Sequence, residues 1–139
     1  MFKKFNLQFV LSYLGLFPFL IILSDKFFFK FLDNNIVNDF SIFYSIIIFV
    51  FIGAINWNLK RNVSILTILI GFMPSLASVL IIIMFFYSYE VINYLIILFI
   101  IQLILDNLIY IEQKSRVVFY QLRTPLTFII VLYLMFMQF

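Results

Sequence analysis

The sequence predicts an all-α membrane protein, a bundle of five transmembrane helices, on three observations: an apolar composition, charges spaced a membrane's width apart, and basic residues confined to alternate loops. Of 139 residues, 66% are hydrophobic and only 11% charged, too few polar side chains to cover a water-facing surface. Lipid must cover it instead. An α-helix rises 1.5 Å per residue, so about 20 apolar residues cross the roughly 30 Å hydrocarbon layer. Period-two alternation bounded by turns, the mark of a β-barrel, is absent. The whole chain, 1–139, reads as a single transmembrane domain.

The first span, about 5–24, lies between Lys4 and Asp25. Lys3 and Lys4 before an apolar run imitate a secretory signal, but the run is too long and no small-x-small cleavage site follows, so the segment is read as retained. Residue 2 is Phe rather than Gly, so myristoylation is not expected. The second span, about 40–59, lies between Asp39 and Lys60, and the third, about 63–87, fills the interval from Arg61 to Glu90. A fourth, about 91–111, runs past Asp106, and a fifth, about 117–138, contains Arg123. Between the first two, residues 25–39 admit two readings. Phe27, Phe28 and Phe31 share one helical face and Lys26, Lys30 and Asp33 another, as in a short interfacial helix; equally, the first span continues for two more turns.

Five spans fix which loops share a side. Lys3, Lys4, Lys60, Arg61, Lys114, Arg116 and Arg123 then fall on one side and only Lys26 and Lys30 on the other, which places the N-terminus in the cytoplasm and the C-terminus in the periplasm. Trp57 beside Lys60, and Tyr87, Tyr89 and Tyr94 around Glu90, occupy expected interfacial positions.

Two ionisable residues stand inside the apolar intervals. Asp106 lies six residues before Glu112 and Arg123 seven after Arg116, so on an antiparallel hairpin both sit roughly 10 Å inside the boundary. A lone charge at mid-membrane costs about 2.5–3.5 kcal/mol on insertion scales, and opposite charges at matched depth offset this by pairing. We expect an Asp106–Arg123 ion pair. Gln102, one turn before Asp106, and Tyr120 and Thr127, at i−3 and i+4 from Arg123, can surround it. Asn56 either joins this patch or meets headgroups. Gly53 and Ala54 allow another backbone to approach, and Gly71, Pro74, Ser75 and Ser78 form a small-residue face, as do Gly15 and Pro18 near Ser12. Pro125 either kinks a continuous fifth helix, freeing the Gln121 carbonyl, or begins a helix capped by Thr124; the kink leaves enough residues to span and is preferred.

The segments L-G-L-F-P-F-L (14–20), G-A-I-N-W (53–57), M-P-S-L (73–76), the isolated Asp106, and F-Y-Q-L-R-T-P-L-T (119–127) resemble, in order and spacing, the small proteobacterial and mitochondrial membrane proteins of the DUF3429 type, a family of unknown function that includes transmembrane protein 69. The resemblance covers nearly the whole chain. It implies a five-helix inner-membrane protein and supplies no reaction. The family's usual Gly-Gly-x-His-Trp is replaced here by Gly53-Ala54-Ile55-Asn56-Trp57, which argues against a histidine that titrates or holds metal.

Function is constrained mainly by what is missing. The chain has no Cys and no His, which removes thiol nucleophiles, Ser-His-Asp chemistry and ordinary zinc or haem sites. No catalytic residue, cofactor or metal ligand is assigned, and an enzyme is disfavoured. The formal charge of +3 belongs to the membrane orientation and signals no nucleic acid. Expected partners are membrane lipids, with another membrane protein or a second copy. The leading expectation is a non-catalytic structural, interaction or assembly component of the bacterial inner membrane, or of the mitochondrial inner membrane in a eukaryote. The alternative is a small-solute or ion transporter using Asn56, Gln102, Asp106, Tyr120 and Arg123.

Overall fold

Backbone N–H and C=O groups have no water to bond with inside a bilayer, so apolar runs of this length must satisfy them internally as helices. A computed structural model describes residues 10–55, 64–112 and 122–139, and they are helical almost throughout. We label the helices α1 (Phe17–Ser24), α2 (Asn34–Ile55), α3 (Ile65–Phe86), α4 (Ile92–Glu112) and α5 (Thr124–Met137). Helical chain precedes α1 from Val10 and follows it as a π-helical turn, Asp25–Phe29, making one segment Val10–Phe29. That segment, α2 and α3 are long and apolar enough to cross a membrane, and Ile92–Leu108 and Thr124–Met137 are shorter apolar helices. By composition and length the chain is a helical membrane protein.

The helices run alternately up and down. Lys26 reaches Met137 and Gln138 reaches Asn93 at one end of the bundle, whereas Arg123 reaches Ile52 toward the other. The core between them is Phe49, Phe99, Leu95, Ile130, Leu134, Val37 and Val91, all nearly inaccessible. Phe49 and Phe99 meet edge to face with centroids 5.2 Å apart, a preferred aromatic geometry. Outward-facing Leu, Ile and Phe side chains stay exposed along every helix. That surface fits lipid.

Local breaks have local causes. Pro18 lacks an N–H, and the chain tightens just before it: Leu16 N–H bonds Tyr13 O at 3.0 Å instead of continuing the regular ladder. Tyr44 then donates to the Gly15 carbonyl at 2.6 Å. Ser64 begins α3 in extended conformation, its Oγ accepting from Thr67 N–H at 3.3 Å. The same helix ends in a Schellman motif: Ser88 is left-handed at φ 64°, Ser88 N–H bonds Phe85 O and Tyr89 N–H bonds Met84 O.

The residue 25–39 segment differs from the interfacial-helix reading. The first helix continues through the π turn to Phe29, and α2 already starts at Asn34, six residues earlier than the span boundary at 40. Asp25 is the reason the turn ends where it does. Its buried carboxylate accepts from Phe31 N–H and Leu32 N–H, each at 3.1 Å, after Lys30 has entered the left-handed region at φ 52°. The other boundaries expected for the second and fifth spans, at 59 and 117, fall among residues 56–59 and 117–121, which lie outside those described. Helix α5 is described from Thr124, preceded by a π-type turn at residues 122–123. Thr124 is not its cap. Arg123 precedes it in right-handed helical conformation without a side-chain cap, and Pro125 occupies the first turn, where a missing N–H does least harm.

Candidate functional site: a buried polar clasp

The deep acid and base meet. Arg123 Nη1 lies 3.6 Å from Asp106 Oδ2, and the residues are 3% and 1% exposed. Their helices, α4 and α5, are antiparallel neighbours, so the matched depth read from the sequence becomes a contact. At 3.6 Å the Nη1–Oδ2 contact is electrostatic rather than a hydrogen bond. Arg123 Nη2 donates instead to the Ile52 carbonyl at 2.9 Å, in the last described turn of α2.

Gln102 completes the arrangement on α4, one turn from Asp106. Its Nε2 donates to Asp106 Oδ1 at 3.1 Å and, more weakly, to the Ile70 carbonyl at 3.4 Å. The second acceptor has a covalent explanation. In a regular helix Ile70 O would receive the N–H of residue 74, and residue 74 is proline. The carbonyl so released inside an apolar bundle is costly unless another donor reaches it. Gln102 is that donor. One guanidinium, one carboxylate and one carboxamide thus tie α2, α3, α4 and α5 at a single level.

Close packing of α2 on α3 sets the spacing of the two carbonyls. A Cβ on Gly53 would stand 2.7 Å from Pro74 Cγ and 2.8 Å from the Gly71 carbonyl. Gly53, Gly71, Pro74 and Ser78 are buried on this seam, whereas Ala54 faces outward and Ser75 lies at its edge. Ser78 returns its hydroxyl to the Pro74 carbonyl at 2.7 Å. Thr127 is also buried, one turn from Arg123. Gly15, Pro18 and Pro125 are half-buried. Asn56, Asn58, Trp57 and Tyr120, together with the Gln121 carbonyl, lie outside the described residues.

A second polar contact, not anticipated from sequence, ties the opposite half of the bundle. Tyr133 of α5 and Ser41 of α2 approach to 2.6 Å, and Ser41 donates to Val37 O at 2.7 Å. Since the serine proton is used on Val37, the tyrosine is the donor to serine. Phe19 packs on the rings of Tyr44 and Tyr133, with centroids 4.8 and 4.3 Å away, and thereby seats the first helix. The sequence signal was faint: Tyr133 is a single polar residue in an apolar run, and Ser41 is one of several polar residues early in α2.

Chemically, the clasp offers a carboxylate neutralised by a neighbouring guanidinium and closed off by packing. Residues 6–139 match the family described as protein of unknown function, DUF3429. No curated protein and no solved structure matches the chain.

Proposed function

We propose that this chain, which belongs to the DUF3429 family, is a non-catalytic component of a membrane complex, acting by packing against a partner membrane protein or a second copy of itself. The observation carrying this reading is how its polar atoms are used. Asp106, Gln102 and Arg123 are nearly wholly buried and engage one another and two helix carbonyls, so they are spent on joining helices. A transporter would need the same groups open to water on at least one side. Among the described residues, a broad apolar surface and the helix ends remain for contact with other molecules. We place the chain in the bacterial inner membrane, or the mitochondrial one in a eukaryote, with its N-terminus cytoplasmic, from the seven-to-two division of basic residues.

The test uses the full chain in its own membranes. After mild detergent extraction it should co-purify in fixed ratio with one membrane protein or with itself, and cells lacking it should lose that complex. The wild-type chain should restore it. A free monomer whose deletion leaves every membrane complex intact would refute the proposal. Solute flux into vesicles that disappears on neutralising Asp106 and Arg123 together would transfer the argument to the transporter reading.

A further inference from the structure

We propose that a cavity between the first helical segment, α2 and α5 is a binding site for one acyl chain of a membrane phospholipid. The cavity has a volume of about 130 Å³. Gly15 contributes no side chain to it, and the gap so left is walled by Leu16, Ile48, Ile52, Leu126 and Ile130. Two further lining residues, Leu11 and Phe51, are 58% and 63% exposed. They mark the mouth on the lipid-facing surface.

The walls select the occupant. Water needs two to four polar partners to stay in such a space. Among the described lining residues only Ser12 and Arg123 are polar, and both already have partners. A helix from another protein, about 10 Å across with its side chains, cannot enter. An apolar cavity of about 150 Å³ admits benzene, and a hydrocarbon chain is slimmer than that ring. Left empty, the space would forfeit dispersion contacts of its whole lining. The surrounding bilayer supplies hydrocarbon chains at the mouth, in the chemistry the walls match.

The site can be read directly by photolabelling. The full chain is reconstituted in phosphatidylethanolamine–phosphatidylglycerol vesicles containing a phospholipid with a diazirine near the end of one acyl chain, irradiated, and mapped by mass spectrometry. Labels are expected at Ile52 and Ile130, only 8% and 1% exposed, while Ile81, 3% exposed and outside the cavity, stays unlabelled. Filling the space from either wall, by Gly15→Leu or Ile48→Phe, should reduce the Ile52 and Ile130 labels to the Ile81 level. Leu69→Phe, on the exposed face of α3, should leave them unchanged. Labels confined to exposed residues such as Leu11 and Phe51 would overturn the proposal, as would cavity labels that persist in both filled variants. If a filled variant misfolds, the wild-type labelling pattern decides alone.

Discussion

Adding one methyl group at Gly53 should be among the most damaging small changes in the molecule. The new Cβ would lie 2.7 Å from Pro74 Cγ, 2.9 Å from Pro74 Cβ and 2.8 Å from the Gly71 carbonyl oxygen. Comfortable carbon contacts lie near 3.5–4.0 Å, so α2 and α3 must part by roughly 1 Å. Neither obstacle can rotate away: one is a proline ring inside a helix, the other backbone. Overpacking of this kind costs about 1–3 kcal/mol. The displacement also acts beyond the seam. Ile52 and Ile70, the residues preceding Gly53 and Gly71, carry the carbonyls that Arg123 and Gln102 reach, and the Gln102 bond is already 3.4 Å long. Equilibrium unfolding of the purified protein in mild detergent, followed by circular dichroism, measures the loss. Gly53→Ala should destabilise by about 1–3 kcal/mol, and Ala54→Leu, on the exposed side, should stay within about 0.5 kcal/mol of wild type. A Gly53→Ala protein as stable as the parent would refute the close approach on which the spacing of the clasp depends.

Other perturbations test the clasp and its surroundings. Asp106→Asn should lower folded yield sharply, since removing one partner of a buried pair costs about 3–5 kcal/mol in soluble proteins; fluorescence-detected size exclusion reads the yield. The exchanged pair Asp106→Arg with Arg123→Asp should recover only part of it, because an acid at position 123 would face the Ile52 carbonyl that the arginine now donates to; full recovery would mean that charge pairing alone matters. Gln102→Leu should destabilise more in the wild-type background than with Pro74→Ala, where the restored N–H can serve Ile70; equal losses in the two unfolding titrations would remove Gln102 from that role. Ser41→Ala and Tyr133→Phe should each cost about 0.6 kcal/mol, the average for buried polar contacts in membranes, and together less than the sum in a double-mutant cycle. Asp25→Ala should accelerate amide exchange at Phe31 and Leu32 without accelerating it elsewhere.

The parts of this architecture that depend on single-residue character were legible. Charge spacing located the helices, and matched depth on a hairpin brought Asp106 to Arg123 with Gln102 one turn away. Boundaries failed where polarity and helicity parted company. Asn34, Asn35, Asn38 and Asp39 resemble a loop, yet they form the opening turns of α2, since hydropathy reports solvent preference rather than backbone conformation. Asp25 resembles a loop charge for the same reason and is a buried cap. Partners far apart in sequence were also hidden: nothing near Ser41 points to a tyrosine 92 residues away. Backbone acceptors carry no residue signature at all. Ile52 gave no hint of its role, although Pro74 did mark Ile70 by simple helical counting.

The bond from Lys26 to the Met137 carbonyl joins residues 111 apart in sequence. At synthesis rates of about 5–20 residues per second, the first helix waits roughly 6–22 s for this partner. Phe19 likewise waits for Tyr133, one of the two rings that seat it. Throughout that interval a nascent chain holds the first helical segment against Tyr44 of α2 alone, with the α5 half of its seat still to be made. Assembly therefore completes the seat of the first helical segment last, and a chain stalled before α5 should present that segment only half docked to the quality-control machinery of the membrane.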